Sequence, residues 1–212
     1  VVVMSYRILI LTDHLAHSKE NSIYSLASAL RKHPQVQYLH VASRGNPANN
    51  KFFYDFTSTE LEVFEVKKNI NYQKSGKQFL VRNLHNNLRY YDVVLLRLPR
   101  PIPDRFFDYL AEQFNVNHII NHPKGIEEVG SKAFLLNFPT ITPPAKLCLT
   151  VEEIKGFGAA FPIVLKPVES YGGQGIVKLE NGIVYDKDQQ FSLAEYLPML
   201  ERSCQNTRRD SE

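Results

Sequence analysis

The chain is poor in cysteine and carries little net charge. Its two cysteines, Cys148 and Cys204, form neither a disulfide framework nor a metal-binding spacing. The formal net charge of +3, without a long basic run, gives no reason to expect nucleic-acid binding. No window approaches the ~18 uninterrupted apolar residues of a membrane span. We therefore expect a cytoplasmic protein with reduced thiols and with neither a membrane nor a nucleic acid as its partner.

Several common catalytic and phosphate-binding motifs are also missing. The sequence contains neither G-x-x-x-x-G-K-[ST], nor a G-x-G-x-x-G run that opens a helix, nor G-x-S-x-G. The histidines His14, His17, His118 and His122 show no spacing with acidic residues that predicts a metal site. We therefore predict no catalytic side chain and no metal ligand, and we interpret these histidines as surface or hydrogen-bonded residues.

Hydrophobic patterning predicts an α/β fold. Residues 7–12 are apolar on both faces, as are the strands of a parallel sheet covered by helices, and residues 92–98 are the strongest predicted strand of the same half. Residues 22–32 have helical spacing and residues 36–41 form the next strand, which completes a βαβ unit. The aromatic run at residues 52–56 is more typical of core than of a stacking platform.

Residues 163–176 are the most informative stretch of the chain. An apolar strand ends at Lys166, and a glycine-rich turn follows over Tyr171, Gly172, Gly173, Gln174 and Gly175. Glycines let backbone N–H groups approach phosphate oxygens, and a lysine supplies the opposing charge. Since a lysine between an apolar strand and a proline is poorly placed for solvent, we expect Lys166 to bind an anion. The alternative is a plain β-hairpin with a glycine turn.

Local sequence patterns predict the secondary structure of the remaining segments in the second half. Residues 127–138 are predicted to form a helix, and Thr150 with Glu153 forms a capping box that opens another. The pair Asn181-Gly182 predicts a tight hairpin turn, and residues 191–197 the last strand. Residues 199–212 have almost no apolar residues and no period, so we expect an irregular tail.

The order of these motifs resembles that of the ATP-grasp ligases and, within them, that of prokaryotic glutathione synthetase. In chain order, the shared features are Asp13 with residues 21–26, the strand at residues 92–97 with Pro101-Ile-Pro103, Ile120-Asn-His-Pro123, Ser131-Lys132, Thr142-Pro-Pro144, and Lys166-Pro167 with the glycine loop. The resemblance runs from about residue 6 to about residue 198. It implies a parallel-sheet pre-ATP-grasp domain at 1–120, a small lysine-bearing ATP-grasp subdomain at 121–198, truncated, and the tail at 199–212.

The resemblance implies an ATP site in the second domain. Lys132 and Lys166 would reach the ATP phosphates together with the glycine loop, and Glu195, Tyr196 and Leu197 would form a hinge strand that binds the adenine edge. Without the resemblance, Lys132 reads as an exposed helix lysine, and residues 195–197 read as a plain strand.

In the first domain, the resemblance implies that Arg97, Asp13 and Ser22 line a substrate site. Arg97 ends a buried strand, where open α/β sheets bind ligands, and it would hold a carboxylate. Ser22 reads equally well as a helix N-cap. The implied activity is ATP-dependent ligation of a carboxylate to an amine through an acyl phosphate, with a small amino-acid or peptide substrate.

The family also requires Mg²⁺, which needs oxygen ligands from a large C-terminal subdomain. We expect those ligands outside these 212 residues, and we expect the chain by itself to be inactive. Residues 98–101 differ from the Lys-Asp-Pro-Pro run usual in the family. Another amino-acid or peptide ligase, such as one that modifies a protein tail, therefore stays open. A non-catalytic remnant that binds a nucleotide or a protein also stays open as an alternative function. The chain could also form a homo-oligomer.

Overall fold

The computed structural model describes residues 5–80, 84–168 and 173–209. The chain divides into two compact units, Val1–Ile126 and Glu127–Glu212. The first unit contains two clusters of buried apolar side chains, and the second contains one of its own. The functional domain limits expected at 1–120 and 121–198 stay predictions, because compactness alone defines these two units.

A six-stranded sheet forms the centre of the first unit. Its strands are β1 (Tyr6–Thr12), β2 (Val36–Ser43), β3 (Glu60–Glu65), β4 (Leu84–Asn87), β5 (Val93–Arg97) and β6 (Ile119–Ile120). The strand order is β4-β3-β2-β1-β5-β6, with parallel pairing from β2 through β6. β3 and β4 add an antiparallel edge. The predicted α/β class is confirmed, and a hairpin-like edge extends the parallel sheet.

Helices cover both faces of this sheet. They are α1 (Ile23–Lys32), α2 (Asn50–Phe53), α3 (Phe106–Gln113) and α4 (Pro123–Val129), the last of which crosses the division between the units. Because side chains alternate along a strand, Ile8 and Ile10 pack in one core cluster with α1, and Leu9 and Leu11 pack in the other. The cluster of Leu9 and Leu11 includes the fully buried Phe52 and Phe53, and Phe56 packs against it, so the interpretation as core is confirmed for these three residues, whereas Tyr54 is exposed.

The second unit is built on a four-stranded antiparallel sheet. Its elements are a 3-10 helix (Lys132–Asn137), α5 (Val151–Gly158), β7 (Ile163–Leu165), β8 (Val177–Glu180), β9 (Ile183–Asp186), β10 (Gln189–Ser192) and α6 (Leu193–Arg209). The sheet order is β10-β9-β8-β7. Asn181 and Gly182 both have positive φ, as a tight hairpin turn requires, and the capping box of Thr150 and Glu153 is present. Both local predictions are confirmed.

The single helix predicted over residues 127–138 is wrong. α4 ends at Val129, and a separate 3-10 helix begins at Lys132. Between them, the side chain of Ser131 accepts a hydrogen bond from the backbone N–H of Ala133. A serine that bonds the backbone two residues ahead competes with a continuing helix, and here it starts a new one.

The strand predicted at residues 191–197 is wrong after Ser192, and residues 199–209 of the predicted irregular tail are helical. β10 ends at Ser192, and α6 then continues to Arg209. A carboxylate oxygen of Glu195 accepts from the backbone N–H of Ser192 at 2.8 Å, and the Glu195 N–H donates to the Ser192 hydroxyl at 3.3 Å. This is a capping box, which favours a helix start. Tyr196 and Leu200, four residues apart, are both buried, so the apolar period is helical. Residues 210–212 lie outside the described residues.

None of the helices in the described ranges has the length and apolar character needed to cross a membrane.

Candidate functional site

Lys132 contacts the backbone that directly follows Lys166. Its ammonium donates to the carbonyl oxygen of Pro167 at 2.6 Å and lies 3.5 Å from the carbonyl oxygen of Val168. Burial, and then the charge of Lys166, lower the pKa of Lys132. The alternative interpretation of Lys132 as an exposed helix lysine is therefore wrong. Its side chain is half-buried and bonded to a segment 35 residues away.

Lys166 has the opposite environment from the one that the sequence suggests. It follows the last residue of β7 and is exposed, so the expectation that it is poorly placed for solvent is wrong. Within residues 5–80, 84–168 and 173–209, its ammonium makes no hydrogen bond or ion pair. The structure nevertheless brings the two predicted phosphate lysines into electrostatic range of each other, because the charge of Lys166 acts on Lys132. Two cations whose charges act on each other favour the binding of a polyanion.

The glycine loop packs on the same proline. Gly173 and Gly175 have φ of +77° and +68°, values that favour glycine. A Cβ on Gly175 would lie 2.8 Å from the Cγ atom of Pro167, whereas one on Gly173 would meet nothing within 4 Å. Gln174 is exposed. The predicted site residues Tyr171 and Gly172 lie outside the described residues.

Pro167 therefore connects two of the predicted phosphate-binding elements. Its carbonyl oxygen accepts from Lys132, and its ring limits the position of Gly175. Lys166 is its chain neighbour. A loop whose backbone is fixed next to two lysine ammonium groups can present N–H groups and positive charge to phosphate oxygens together.

The predicted hinge strand is absent, because Glu195, Tyr196 and Leu197 lie in the first turns of α6. The Glu195 carboxylate caps that helix, and hydrogen bonds from the Ser192 hydroxyl and backbone N–H lower its pKa. Tyr196 is buried, and its hydroxyl donates to Asp186 at 3.1 Å. Burial is the first cause of its raised pKa. The strand-edge contact with adenine therefore has no basis at these three residues.

In the first unit, Arg97 and Ser22 lie together. Arg97 is the exposed last residue of β5, and its Nη2 donates to the Ser22 hydroxyl at 2.7 Å. Ser22 occupies the N-cap position of α1, as its alternative reading predicts, but its side chain makes no capping hydrogen bond and instead accepts from Arg97. The structure thus joins two of the three predicted substrate residues at the carboxyl edge of the parallel sheet.

Asp13, the third predicted substrate residue, has a different set of partners. One carboxylate oxygen accepts from the backbone N–H of Leu15 at 3.1 Å, and the other pairs with the Arg44 guanidinium at 3.0 Å. The side chains of Arg44 and Asp13 are only 8% and 11% exposed. Buried charges need such pairing. Both Asp13 oxygens are engaged within the protein, so this residue holds the loop after β1.

Arg44 was missed by the sequence analysis. Besides Asp13, its guanidinium donates to the carbonyl oxygens of Pro101 at 2.6 Å and Pro99 at 3.3 Å. It thereby ties the loops that follow β1, β2 and β5. The available signal was its place directly after a buried strand, which is the same criterion that identified Arg97.

The histidines that the sequence analysis set aside differ from one another. His14 is buried, and its Nδ1 lies 2.6 Å from the Ser43 hydroxyl. His17 is half-buried between Thr12 and Tyr24, at 2.9 Å from each hydroxyl oxygen. Burial lowers the pKa of both imidazoles. Across the described part of the chain, no group of three or more His, Cys, Asp or Glu side chains could hold a metal ion.

Comparison with known proteins identifies relatives of the chain. Residues 131–199 match the family model described as prokaryotic glutathione synthetase, ATP-grasp domain. A glutathione synthetase of Anaplasma centrale is 35% identical over 91 residues, which are 42% of this chain and 29% of that protein. One of Nitrosomonas europaea is 31% identical over 96 residues, 43% of this chain and 30% of that protein.

A longer but weaker match is to the glutathione synthetase of Xylella fastidiosa. It is 22% identical over 171 residues, which are 78% of this chain and 51% of that protein. The chain thus covers between 29% and 51% of the length of these three relatives. Lys132, Lys166 and Gly175 all fall within residues 131–199, the range of the family match. The predicted resemblance to the ATP-grasp ligases, and among them to prokaryotic glutathione synthetase, is therefore confirmed.

Proposed function

We propose that the chain takes part in ATP-dependent carboxylate–amine ligation of the glutathione synthetase type. The second unit would bind the ATP phosphates, and the first unit would bind the carboxylate of a small amino acid or peptide. In this reaction a carboxylate oxygen attacks the γ-phosphorus of ATP and ADP leaves. The amine nitrogen then attacks the acyl carbon, phosphate leaves with the electron pair of the C–O bond, and the nitrogen releases a proton to solvent as the amide forms.

One observation carries the proposal: the contact of Lys132 with Pro167, on whose ring Gly175 lies, falls inside the range of the family match. A lysine–backbone bond across 35 residues fixes the loop that would surround the phosphates. Lys166, exposed beside that bond, has its ammonium available for an anion. Such a site acts by positioning and by opposing charge.

Arg97 supports the carboxylate half of the proposal. A guanidinium carries five N–H donors in a planar fork that matches a carboxylate. Within the described ranges, Arg97 uses one nitrogen for Ser22 and is exposed at the end of β5. The remaining donors can therefore bind a substrate carboxylate at the edge where α/β sheets take their ligands.

Mg²⁺ belongs to phosphoryl transfer from ATP, and the described residues contain no cluster of three or more metal-ligating side chains for it. Mg²⁺ binds through carboxylates and other oxygen ligands, and no suitable cluster occurs among residues 5–80, 84–168 and 173–209.

Calorimetric titration of ATP into the 212-residue chain tests the nucleotide half. We expect saturable binding that Lys166→Ala weakens. Titration of γ-glutamylcysteine tests the carboxylate half, and Arg97→Ala should weaken that binding about ten- to a hundredfold, the effect of a lost charged hydrogen bond. No saturable ATP binding by a folded wild-type chain would overturn the proposal.

Ligation by the chain alone is a separate question. The expectation that it is inactive by itself is tested by ADP release with γ-glutamylcysteine and glycine. Turnover at ordinary enzyme rates, ~1–10³ s⁻¹, would contradict it.

A different carboxylate substrate is favoured by one feature, the loop at residues 98–101. Arg44 holds the carbonyl oxygens of Pro99 and Pro101 there, so the loop has a fixed course of its own. Repeating the titration with free amino acids and with acidic peptides tests this alternative. Binding of one of these ligands in place of γ-glutamylcysteine would favour another amino-acid ligase or a ligase that modifies a protein tail. ATP binding without any carboxylate partner would favour the non-catalytic nucleotide-binding remnant.

A further inference from the structure

Four hydrogen bonds and the backbone from Ser22 to Tyr24 link five residues of the first unit in a ring around the start of α1. The Arg97 guanidinium donates to the Ser22 hydroxyl at 2.7 Å, and the Arg97 carbonyl oxygen accepts from the Thr12 hydroxyl at 3.1 Å. His17 lies 2.9 Å from Thr12 through Nε2 and 2.9 Å from the Tyr24 hydroxyl through Nδ1. Tyr24 and Ser22 are two residues apart, which closes the ring.

The hydrogen bonds of Thr12 determine which imidazole nitrogen of His17 carries a proton. The Thr12 hydroxyl has one hydrogen, which it donates to the Arg97 carbonyl, so it accepts from His17. Nε2 of His17 therefore carries a hydrogen. Nδ1 in the neutral ring then accepts from the Tyr24 hydroxyl. These bonds thus place a proton on Nε2, and burial, which lowers the pKa of His17, favours the neutral ring in which Nδ1 accepts from Tyr24.

The surroundings of His17 favour this neutral state. The edges of Tyr24 and Phe79 pack against the imidazole. Burial is the largest cause of its lowered pKa, the neighbouring His14 adds to the lowering, Asp13 opposes it, and Arg97 contributes to it. Among the charged groups that act on His17 in the described structure, His14 and Arg97 disfavour the imidazolium cation, and Asp13 favours it.

We propose that His17 is a positioning residue for Arg97, holding the guanidinium and Ser22 in one relative arrangement at the carboxyl end of β5. Through Thr12, His17 fixes the backbone of Arg97, and through Tyr24 it fixes the first turn of α1 beside Ser22. The inference rests on the proposed carboxylate-binding role of Arg97. An arginine whose main chain and one guanidinium nitrogen are already held in place loses less conformational entropy when it binds a carboxylate.

The first test is nuclear magnetic resonance of the free chain. The ¹⁵N shifts of the His17 ring should show a protonated Nε2 and an unprotonated Nδ1. The Arg97 side-chain N–H signal, identified by its loss in Arg97→Lys, should shift or broaden in Thr12→Val and in Tyr24→Phe. Thr12→Ser, which keeps the hydroxyl, should restore the wild-type signal.

Tyr109→Phe is the matched control for Tyr24→Phe. Both tyrosines are 8% exposed, and the Tyr109 hydroxyl donates to the Ser58 carbonyl oxygen at 2.8 Å, away from the ring. This control should leave the Arg97 signal unchanged. A proton on Nδ1 of His17, or an unchanged Arg97 signal in both Thr12→Val and Tyr24→Phe, would overturn the inference.

The second test is a double-mutant cycle in the binding of γ-glutamylcysteine. Tyr24→Phe should weaken binding about five- to tenfold, the effect of one lost neutral hydrogen bond. In the Arg97→Ala background, the same change should have no further effect. Equal losses in both backgrounds would show that the ring does not act through Arg97. Failure of the wild-type chain to bind this peptide would count against the proposed function, and the resonance test would still decide the role of His17.

Discussion

The Lys132 ammonium donates to the carbonyl oxygen of Pro167 at 2.6 Å, directly beside Lys166. The two lysines predicted to bind phosphate therefore have different structural roles. Lys132 supports the backbone of the loop, whereas Lys166 is exposed and, within the described residues, unpaired. Replacing each lysine should consequently produce a different combination of losses.

Lys166→Ala should weaken ATP binding without changing the thermal midpoint of the free chain. What the variant loses is a contact with the ligand, and a hydrogen bond from a charged group is worth roughly 1.5–3 kcal/mol, or about ten- to a hundredfold in affinity. Calorimetric titration of ATP measures the effect. Lys166→Arg keeps the charge and is the control. Equal ATP affinity in wild type and Lys166→Ala would remove Lys166 from the phosphate site.

Lys132→Ala should weaken ATP binding and also lower the thermal midpoint. The half-buried ammonium holds Pro167, so its removal frees the loop backbone as well as deleting a charge. Lys132→Met preserves most of the alkyl stem and separates lost packing from the lost bond. A midpoint unchanged in both variants would contradict the supporting role of Lys132.

Gly175→Ala should destabilise the second unit by about 1–3 kcal/mol. The new Cβ would lie 2.8 Å from the Pro167 ring, and a φ of +68° is strained for alanine. Gly173→Ala, with a φ of +77° but nothing within 4 Å, isolates the backbone strain. Gly125→Ala, in α4 with open space around it, should not destabilise the chain. Urea denaturation measures the three variants, and equal effects at residues 173 and 175 would exclude the proline contact as a cause.

Arg44→Met should destabilise the first unit by about 3–5 kcal/mol. It leaves the Asp13 carboxylate buried without its guanidinium and frees the carbonyl oxygens of Pro99 and Pro101. Lys67→Met breaks the exposed pair with Glu65, at 3.9 Å, and should cost no more than about 1 kcal/mol. Comparable losses in the two variants by urea denaturation would mean that burial of the Asp13 pair is unimportant.

The free energy of unfolding should fall as the pH drops below about 6.5. Burial lowers the pKa values of His14, His17 and His40 in the folded chain, so the unfolded chain binds more protons. Their contribution is complete above the unfolded-state pKa and is lost as the pH falls toward the folded-state values. His17→Gln should flatten this dependence between pH 6.5 and pH 5 in urea titrations. An identical slope in wild type and His17→Gln would contradict the burial of His17 as its cause.

The sequence was most informative where one local pattern determined the structure. The doubly apolar runs at β1 and β5 predicted the parallel sheet, and the end of β5 pointed to Arg97. Asn181-Gly182 and the box of Thr150 and Glu153 needed no tertiary information, because their bonds lie within a few residues. Their geometry follows from backbone chemistry alone.

The environment of each site residue was harder to predict. Lys132 is anchored by a carbonyl 35 residues away, and the Asp13–Arg44 pair spans 31 residues, separations that no local period encodes. The prediction for α6 relied on the shortage of apolar residues after Leu200. It overlooked a helical spacing that is present in Leu193, Tyr196, Leu197 and Leu200. Short polar caps and a few well-spaced leucines suffice when the preceding strand supplies a surface to pack on.

The separate hydrophobic cores of the two units have a consequence for every measurement of stability. The first unit has its own two clusters, and the second unit has a third that shares no residue with them. Melting can therefore occur in two steps, so one midpoint need not describe the chain. A ligand raises the midpoint of the part that it binds, so ATP and γ-glutamylcysteine should shift different steps. The calorimetric trace would then report, without any mutation, which unit holds which substrate.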